Sequence, residues 1–326
     1  MSAFDRIFGN RETVASLRTA VSSGRAAASY VIAGPEMSGK YTLALEFACA
    51  LTEKLSAENA DVLCKKIRTG ISPDVTVCGL GDKRSIGVED IRGIFGAAYT
   101  TPNELEFRMF IIRDAHKLTA QAQNALLKVF EEPPEHAYIF LLCESRAKLL
   151  ATLVSRAQNI DTEVFDAEDM KRFFQGRYDV EGERAEIAFL LSGGALGKAE
   201  KLLSDDEGVD DYRAAVEILE TFKKNDGYLS LDLCLKACQT RESCDAILSL
   251  LTDAVGDILS AACNNGARPR FFRSTSDAGA FALKTDAARL VKLGERLSEI
   301  RDNLDLNAGA ASSATAAFIG LKRCFE

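Results

Sequence analysis

Residues 33–42, with the sequence AGPEMSGKYT, carry most of a phosphate-binding loop. The motif G-x-x-x-x-G-K-[ST] uses glycines so that backbone N–H groups can face phosphate oxygens, and a lysine that reaches the β- and γ-phosphates. Gly34, Gly39 and Lys40 are in register with this motif. The next residue normally supplies a small hydroxyl to the Mg²⁺ of the nucleotide. In this chain it is Tyr41, so the pattern predicts the shape of a nucleotide site without one of its metal ligands.

A second metal-holding position is also altered. In ATPases with this loop, a hydrophobic strand ends in an aspartate that holds Mg²⁺ through water, commonly followed by a glutamate that orients the attacking water. The stretch RMFIIRDA, residues 108–115, supplies the strand, and Arg113 and Asp114 occupy these two positions. A guanidinium offers no lone pair to a metal ion. We therefore predict no metal site and weak or no nucleotide binding, while passive binding of a nucleotide or a phosphate stays open.

Strand and helix patterns alternate through the first half of the chain. Short β-rich apolar runs predict strands, and runs with helical periodicity predict helices between them. A strand precedes the phosphate-binding loop and a helix follows it, which is the context that the motif requires. The predicted strands are 29–34, 73–79, 108–115 and 137–144, and the predicted helices are 42–55, 88–100 and 119–132. This alternation favours a mostly parallel sheet covered by helices.

Strand patterns stop after residue 165, and the rest of the chain has helical patterns. Asp166 is a suitable N-cap for the first of these helices. Two short helices follow, separated by Gly193 and Gly194, and the acidic, glycine-broken stretch 204–211 predicts a linker. The later predicted helices are 211–225, 228–239, 241–264, 278–303 and 309–323.

The charge of the chain limits its direct contacts with nucleic acid. Its 326 residues carry a formal net charge of −8, so there is no overall electrostatic attraction to a polyanion. A local basic strip would be an exception, and the loop 264–277 holds Arg268, Arg270 and Arg273. We favour a solvated turn for this loop, with a polar contact to a partner or a DNA backbone as the alternative.

Cysteine usage and the N-terminus indicate a reducing compartment. The nine cysteines form no C-x-x-C, the N-terminus lacks the basic-then-apolar order of a signal peptide, and no apolar run approaches the ~20 residues of a membrane helix. We therefore expect a cytoplasmic protein with free thiols and no membrane contact. Cys234 and Cys238 are expected to be small buried residues, with a metal site as the minor alternative.

Two later motifs carry a family resemblance. The stretch AQNALLKVFEEPP, residues 122–134, and the following Ser155 and Arg156 resemble the bacterial clamp-loader family, the AAA+ subunits of the DNA polymerase III holoenzyme. Members of that family carry N-A-L-L-K-x-x-E-E-P-P and then S-R-C, and Ala157 stands in place of the cysteine. The opening FDRIFGNRETVASLRTAVSSGR is also similar to the family's start. The resemblance is strong over residues 1–160 and weak after residue 205.

The resemblance implies a domain organisation. An α/β P-loop (AAA+) domain with a parallel sheet and a degenerate ATP site is expected over 1–164, a small helical lid over 165–205, and an all-α collar or oligomerisation domain over 206–326. The stretch 303–318 resembles the last collar helix, although Asn303 and Asn307 are spaced too widely for the family's N-x-N start.

The departures from the family pattern concern ATP hydrolysis. In the hydrolysing members, a loop hydroxyl, a metal-holding aspartate, a sensor residue after the fourth strand and a lid arginine are intact. The corresponding positions here are Tyr41, Arg113, roughly Glu144, and Gly197, whereas Arg156 is retained. This combination resembles the delta-prime subunit, which in the family is a stator that hydrolyses no ATP and lends its arginine to a neighbour.

The same resemblance implies partners and a function. Arg156, with Ser155, would act in trans on the ATP of a neighbouring subunit, and no intrinsic ATPase is expected. The delta and gamma/tau subunits would be partners in a hetero-oligomeric ring, which as a complex meets the sliding clamp and primer-template DNA. Two alternatives stay open: an active AAA+ motor subunit like gamma/tau, and a P-loop-derived scaffold unrelated to replication.

No cofactor is expected to be required, and zinc in particular is not expected. The family carries a zinc module with four cysteines before a Pro-Asp pair. Counting back from Pro73 and Asp74, Cys64 falls in the last of these positions, and Glu58 and Asp61 fall in the two before it. Because three of four thiolates are missing, we expect a short helical insertion there without bound metal.

Overall fold

A computed structural model describes residues 2–81, 83–96, 98–177, 182–204, 207–223 and 227–325. The chain packs into two compact units, Met1–Phe165 with Ala195–Gly197, and Asp166–Gly194 with Lys198–Glu326. The division into three domains remains a prediction, and its second boundary, between 205 and 206, lies outside the described residues.

The first unit is built on a five-stranded sheet of order β2-β3-β4-β1-β5, in which all pairings are parallel. The strands are β1 (Ser29–Ala33), β2 (Val75–Cys78), β3 (Arg108–Ile112), β4 (Ala137–Cys143) and β5 (Gln158–Asp161). The parallel sheet and its four predicted strands are confirmed. The sequence patterns do not predict β5, because it is a polar edge strand in which only Ile160 is buried.

Helices cover both faces of the sheet. Successive side chains of β1 alternate between the faces, so Tyr30 and Ile32 join one apolar core and Val31 and Ala33 join the other. The first core includes α1 (Arg11–Ser23), α2 (Lys40–Leu55) and α3 (Ala60–Arg68), and the second includes α4 (Val88–Gly96), α5 (Ala120–Glu131) and α6 (Ala151–Val154). This layering confirms the predicted α/β domain.

The second unit is helical in all of its described elements. Its helices are α7 (Ala167–Arg177), α8 (Glu183–Ser192), α9 (Leu196–Ser204), α10 (Glu207–Lys223), α11 (Gly227–Ala237), α12 (Arg241–Ala262), α13 (Thr275–Ala282), α14 (Ala287–Asp305) and α15 (Ala310–Phe325). The start of α9 lies in the segment assigned to the first unit. A single core joins Ile187 of α8 to residues of α10, α12, α14 and α15.

Two predictions about this unit are wrong. The stretch 204–211 is not a linker over most of its length, because α10 begins at Glu207 and includes Gly208 in its first turn; residues 205–206 lie outside the described part. The single helix predicted over 278–303 is two helices, α13 and α14. The carboxylate of Asp286 caps α14 by accepting the Arg289 N–H at 2.9 Å, which fixes the second start.

Other local predictions are confirmed. The Asp166 carboxylate accepts the N–H of Asp169 at 2.8 Å at the start of α7. Gly193 ends α8 with a φ of +58°, a left-handed conformation that glycine adopts without strain. Cys234 and Cys238 are buried in the core of the second unit, where burial raises the pKa of the Cys234 thiol to about 12.

The loop before α13 is fixed by a buried carboxylate. Asp257 of α12 accepts the backbone N–H groups of Arg270, Phe271 and Phe272 at 2.8–3.0 Å. Both phenylalanine side chains are buried. The interpretation of this loop as a solvated turn is therefore wrong for its central backbone.

Two arginines of that loop make contacts within the second unit. The guanidinium of Arg268 lies 4.5 Å from the centre of the Phe189 ring. Arg273 pairs with Glu183 at 3.0 Å. Arg268, Arg270 and Arg273 are nevertheless all exposed, as the prediction of a solvated turn implies. Within the described part of the chain, no helix has the length and hydrophobicity needed to cross a membrane.

Candidate functional site

The phosphate-binding loop connects β1 to α2, as the sequence predicts. Gly39 precedes α2 with a φ of +88°, and Gly34 follows β1 with a φ of +155°. A Cβ on Gly34 would lie 1.8 Å from Thr162 Oγ1, so no larger residue fits without a shift. Both glycines of the motif therefore serve the conformation of the loop itself.

A buried pair of hydroxyls ties this loop to the end of β5. Ser38 Oγ lies 2.7 Å from Thr162 Oγ1, and both residues are buried. The Thr162 hydroxyl is also 3.3 Å from the carbonyl of Ala33, the last residue of β1. Thr162 could not be predicted from the sequence, because nothing in its local pattern connects it with a loop that lies 124 residues away.

Lys40 is directed at its own loop. Its ammonium donates hydrogen bonds to the carbonyls of Gly34, at 2.7 Å, and Pro35. Burial lowers the pKa of Lys40 below its usual value, although nearby carboxylates, including that of Glu144, act in the opposite direction. The lysine that should reach phosphates thus stabilises the loop's carbonyls in this structure.

The two altered metal positions contact each other. The Arg113 guanidinium lies 5.3 Å from the centre of the Tyr41 ring, within the range of a cation–π interaction. Tyr41 also packs against the apolar core of the first unit. In place of a hydroxyl and a carboxylate, this part of the site holds an aromatic ring and a fixed positive charge. Among the described residues, no cluster of His, Cys, Asp or Glu could hold a metal ion.

The predicted sensor and lid positions also have other contacts. Glu144 pairs with Lys148 at 3.0 Å, and this hydrogen bond is the main cause of a lowered Glu144 pKa. The N–H of Gly197, which belongs to the first unit, donates to Met37 O at 3.0 Å. A Cβ at Gly197 would lie 2.8 Å from that oxygen, so an arginine there would require a backbone shift.

Arg156 lies in a turn directly after α6. Ser155 Oγ and Arg156 Nη1 both donate to the carbonyl of Thr152, at 3.1 and 3.0 Å. Arg156 Nη2 pairs with Glu131 Oε1 at 2.9 Å. The Arg156 side chain is 38% exposed, so its guanidinium is accessible from outside this chain.

The side chain of Asn159 in β5 donates hydrogen bonds to the backbone of the same turn. Its side-chain nitrogen Nδ2 donates to the carbonyl of Val154 at 2.9 Å and to that of Ala157 at 3.2 Å. These two carbonyls flank Ser155 and Arg156. The structure thus separates the predicted site residues into two places: the loop with Gly34, Gly39 and Lys40 follows β1, and Arg156 precedes β5. Neither Asn159 nor the contact of Glu131 with Arg156 could be predicted from the local sequence.

The remnant of the zinc pattern is a packing contact. The segment forms the predicted short helix, α3, which includes Asp61 and Cys64. Cys64 is buried against Cys49 of α2, and each sulfur lies 3.6–3.8 Å from the other residue's carbonyl oxygen. The hydrogen bond to Cys64 and burial raise the pKa of the Cys49 thiol. Glu58 and Asp61 are exposed, and the absence of zinc stays a prediction.

Comparisons with known proteins agree with the fold and the motifs of the first unit. Residues 9–166 match the model of a family described as DNA polymerase III, delta subunit. The DNA polymerase III subunit gamma of Buchnera aphidicola subsp. Schizaphis graminum is 26% identical over 62% of this chain and 57% of its own length. The DNA polymerase III subunit tau of Bacillus subtilis is 31% identical over 48% of this chain and 28% of its own length. The matched region thus spans less than two thirds of either relative.

A solved structure has the same fold across most of the chain. The crystal structure of a DNA polymerase III gamma subunit-related protein from Thermotoga maritima has a TM-score of 0.51 and 18% identity, and the comparison covers 95% of this chain and 99% of that chain. The family match covers the phosphate-binding loop, the NALLK segment and the Ser-Arg turn. Residues 9–166, which contain these three features, therefore belong to the AAA+ clamp-loader family of DNA polymerase III.

Proposed function

We propose that this chain is a delta-prime-like subunit of the DNA polymerase III clamp loader. In this role it hydrolyses no ATP itself, acts as a stator during loading of the sliding clamp, and supplies Arg156 to a neighbour's ATP. The observation that carries the proposal is the contact between Tyr41 and Arg113, at 5.3 Å, where Mg²⁺ ligands are needed. Arg156, in contrast, is exposed and held by its own subunit.

The chemistry assigned to Arg156 is electrostatic. Phosphoryl transfer develops negative charge on the transferred group, and an arginine from another subunit can stabilise that charge. A planar guanidinium that stays protonated suits this task better than an ammonium group, because it can donate two parallel hydrogen bonds to phosphate oxygens. Arg156 would therefore increase the neighbour's rate of hydrolysis without any nucleotide in its own loop.

The proposed partners follow from the family. They are the delta and gamma/tau subunits of a hetero-oligomeric ring, and the sliding clamp and primer-template DNA through the assembled complex. The net charge of −8 favours contact with DNA as part of a complex over binding by this chain alone. No cofactor is required by the proposal, and the backbone N–H groups of the loop leave passive binding of a phosphate group open.

A second candidate function is an active motor subunit. It is favoured by the names of the two relatives, gamma and tau, which are 26% and 31% identical to this chain. The two candidates differ in intrinsic turnover. We expect the purified chain to hydrolyse no ATP above background in the presence of Mg²⁺. Turnover that Lys40→Ala abolishes would support the motor subunit and refute the stator.

The proposed role of Arg156 is tested in a reconstituted clamp loader. Arg156→Ala should slow ATP hydrolysis at the adjoining site and leave assembly, measured by gel filtration, unchanged. Arginine fingers supplied in trans contribute on the order of 10³–10⁵ in rate in small GTPases, and averaging over several sites would reduce the measured effect. Arg92→Ala, at an exposed arginine of α4 that pairs with Glu89, is the matched control. An unchanged rate at the adjoining site would refute the role.

A further inference from the structure

The guanidinium of Arg156 is held at two of its three nitrogens by groups of the same subunit. Nη1 donates to the carbonyl of Thr152 at 3.0 Å, and Nη2 pairs with the carboxylate of Glu131 at 2.9 Å. Thr152 lies in α6, immediately before the turn, and Glu131 is the last residue of α5. Two different helices of one compact unit therefore fix where the guanidinium lies.

This arrangement leaves donors for a second partner. A guanidinium carries five N–H groups in a rigid fork, and the two contacts use one on each terminal nitrogen. The remaining N–H groups, including that on Nε, have no partner among the residues that the structure describes. The side chain is also 38% exposed. Arg156 can thus keep both contacts while it donates to an anion outside the subunit.

The position of Glu131 is unfavourable for α5 itself. The carboxyl end of a helix carries partial negative charge, so an acidic residue in the last turn is destabilising and a basic residue is preferred. The ion pair with Arg156 adds little stability, because both side chains are more than a third exposed. Neither helix stability nor folding stability therefore explains a carboxylate at this place.

We propose that Glu131 is a positioning residue for Arg156. It holds the guanidinium in the orientation in which its free N–H groups face the neighbour's nucleotide, so that less side-chain freedom is lost when the transition state forms. This inference rests on the proposed role of Arg156 in trans. Glu131 itself touches no nucleotide and acts only through the arginine.

The opposite role would be restraint of the arginine away from its target. Restraint would require that the contacts to Glu131 and Thr152 break before Arg156 could act. The free N–H groups make such a break unnecessary. The two roles predict opposite changes in the neighbour's rate of ATP hydrolysis. Loss of a positioning contact lowers that rate, whereas loss of a restraint raises it.

The test is Glu131→Gln in a reconstituted clamp loader, with ATP turnover measured at the site next to this subunit. The glutamine keeps the size of the side chain and removes its charge. We expect kcat to fall about threefold to tenfold with KM unchanged, because only part of the arginine's orientation is lost. Glu131→Asp, which restores the charge on a shorter side chain, should recover part of the rate. Gel filtration should show unchanged assembly for both variants.

Glu132→Gln is the matched control, since Glu132 is the adjacent exposed glutamate and should leave kcat unchanged. Arg156→Ala is measured in parallel to separate the two proposals. If Arg156→Ala slows the neighbour and Glu131→Gln does not, the positioning role fails and the role of Arg156 stands. If Arg156→Ala has no effect, both fail. A faster rate in Glu131→Gln, an equal fall in Glu132→Gln, or a change in KM alone would also overturn the positioning role.

Discussion

Replacing Asn159 with aspartate should damage the turn that carries Arg156 more than replacing it with alanine, although aspartate keeps the shape of the side chain. The Asn159 amide nitrogen donates to the carbonyls of Val154 and Ala157, at 2.9 and 3.2 Å. Its oxygen is buried and has no hydrogen-bond partner among the described residues. The position of the Asn159 amide nitrogen therefore requires a hydrogen-bond donor. An aspartate would instead place a carboxylate oxygen there, next to two carbonyl oxygens that are also acceptors.

The expected magnitudes follow from these contacts. A neutral hydrogen bond contributes about 1 kcal/mol net, so Asn159→Ala, which removes two, should lower the free energy of unfolding of the first unit by about 1–2 kcal/mol. Asn159→Asp loses the same two bonds and also buries a carboxylate without donors, which raises the expected loss to about 2–5 kcal/mol at neutral pH.

The stability of the aspartate variant should also depend on pH. Partial burial beside carbonyl oxygens disfavours the charged form and raises the pKa of the new carboxyl in the folded state above its value in the unfolded chain. A protonated carboxyl regains one donor. The destabilisation should therefore be smallest below the unfolded pKa, and it should grow as the pH rises through the folded pKa.

The assay is urea unfolding, with the first unit followed by hydrogen exchange of peptides from β1 to β4, at neutral and at mildly acidic pH. The same variants are then assembled with partner subunits to measure turnover at the adjoining site, where a loosened Arg156 should lower kcat. Equal stability of the aspartate and alanine variants at neutral pH would refute the reasoning, as would a loss in the aspartate variant that does not change with pH.

Two further predictions concern buried carboxylates. Burial alone would raise the pKa of Asp74, but three backbone N–H groups of residues 103–105 donate to it and lower the pKa below its usual value. Its stabilisation is present above the unfolded pKa and lost as pH falls through the folded pKa, so acid unfolding followed by circular dichroism should show a smaller pH dependence in Asp74→Asn. Asp257→Ala leaves the N–H groups of residues 270–272 unpaired, so trypsin should cleave the loop 264–274 faster than in wild type; equal cleavage would contradict the anchoring role.

Local chemistry explains which parts of the fold could be predicted from the sequence. The apolar runs of β1, β3 and β4 are buried over nearly all of their residues, so their hydrophobicity identifies them. β5 could not be predicted in this way, because its residues are polar and its stability comes from pairing with β1. The break between α13 and α14 is hidden by helical residues on both sides, and only the cap at Asp286 marks it.

Contacts between distant residues explain what could not be predicted of the site. Gly34, Gly39 and Lys40 were identified because the loop motif is contiguous. The contact of Ser38 with Thr162 joins residues 124 positions apart, and neither residue has a distinctive neighbourhood. The motif around Arg156 is contiguous and identifies it, but its partner Glu131 lies in another helix, 25 residues earlier, and no local pattern connects the two.

The contacts around β5 give the phosphate-binding loop a structural role that requires no nucleotide. Ser38 of the loop bonds to Thr162 just after β5, and Asn159 within β5 bonds to the carbonyls that flank Arg156. The loop, the strand and the arginine turn are thus connected through hydrogen bonds that involve no nucleotide. Because Gly34 leaves space for Thr162, loss of the loop's shape would disturb the strand that supports Arg156. The shape of the loop is therefore no evidence for ATP binding by this chain, and it is compatible with a subunit whose contribution to hydrolysis is made at a neighbour's site.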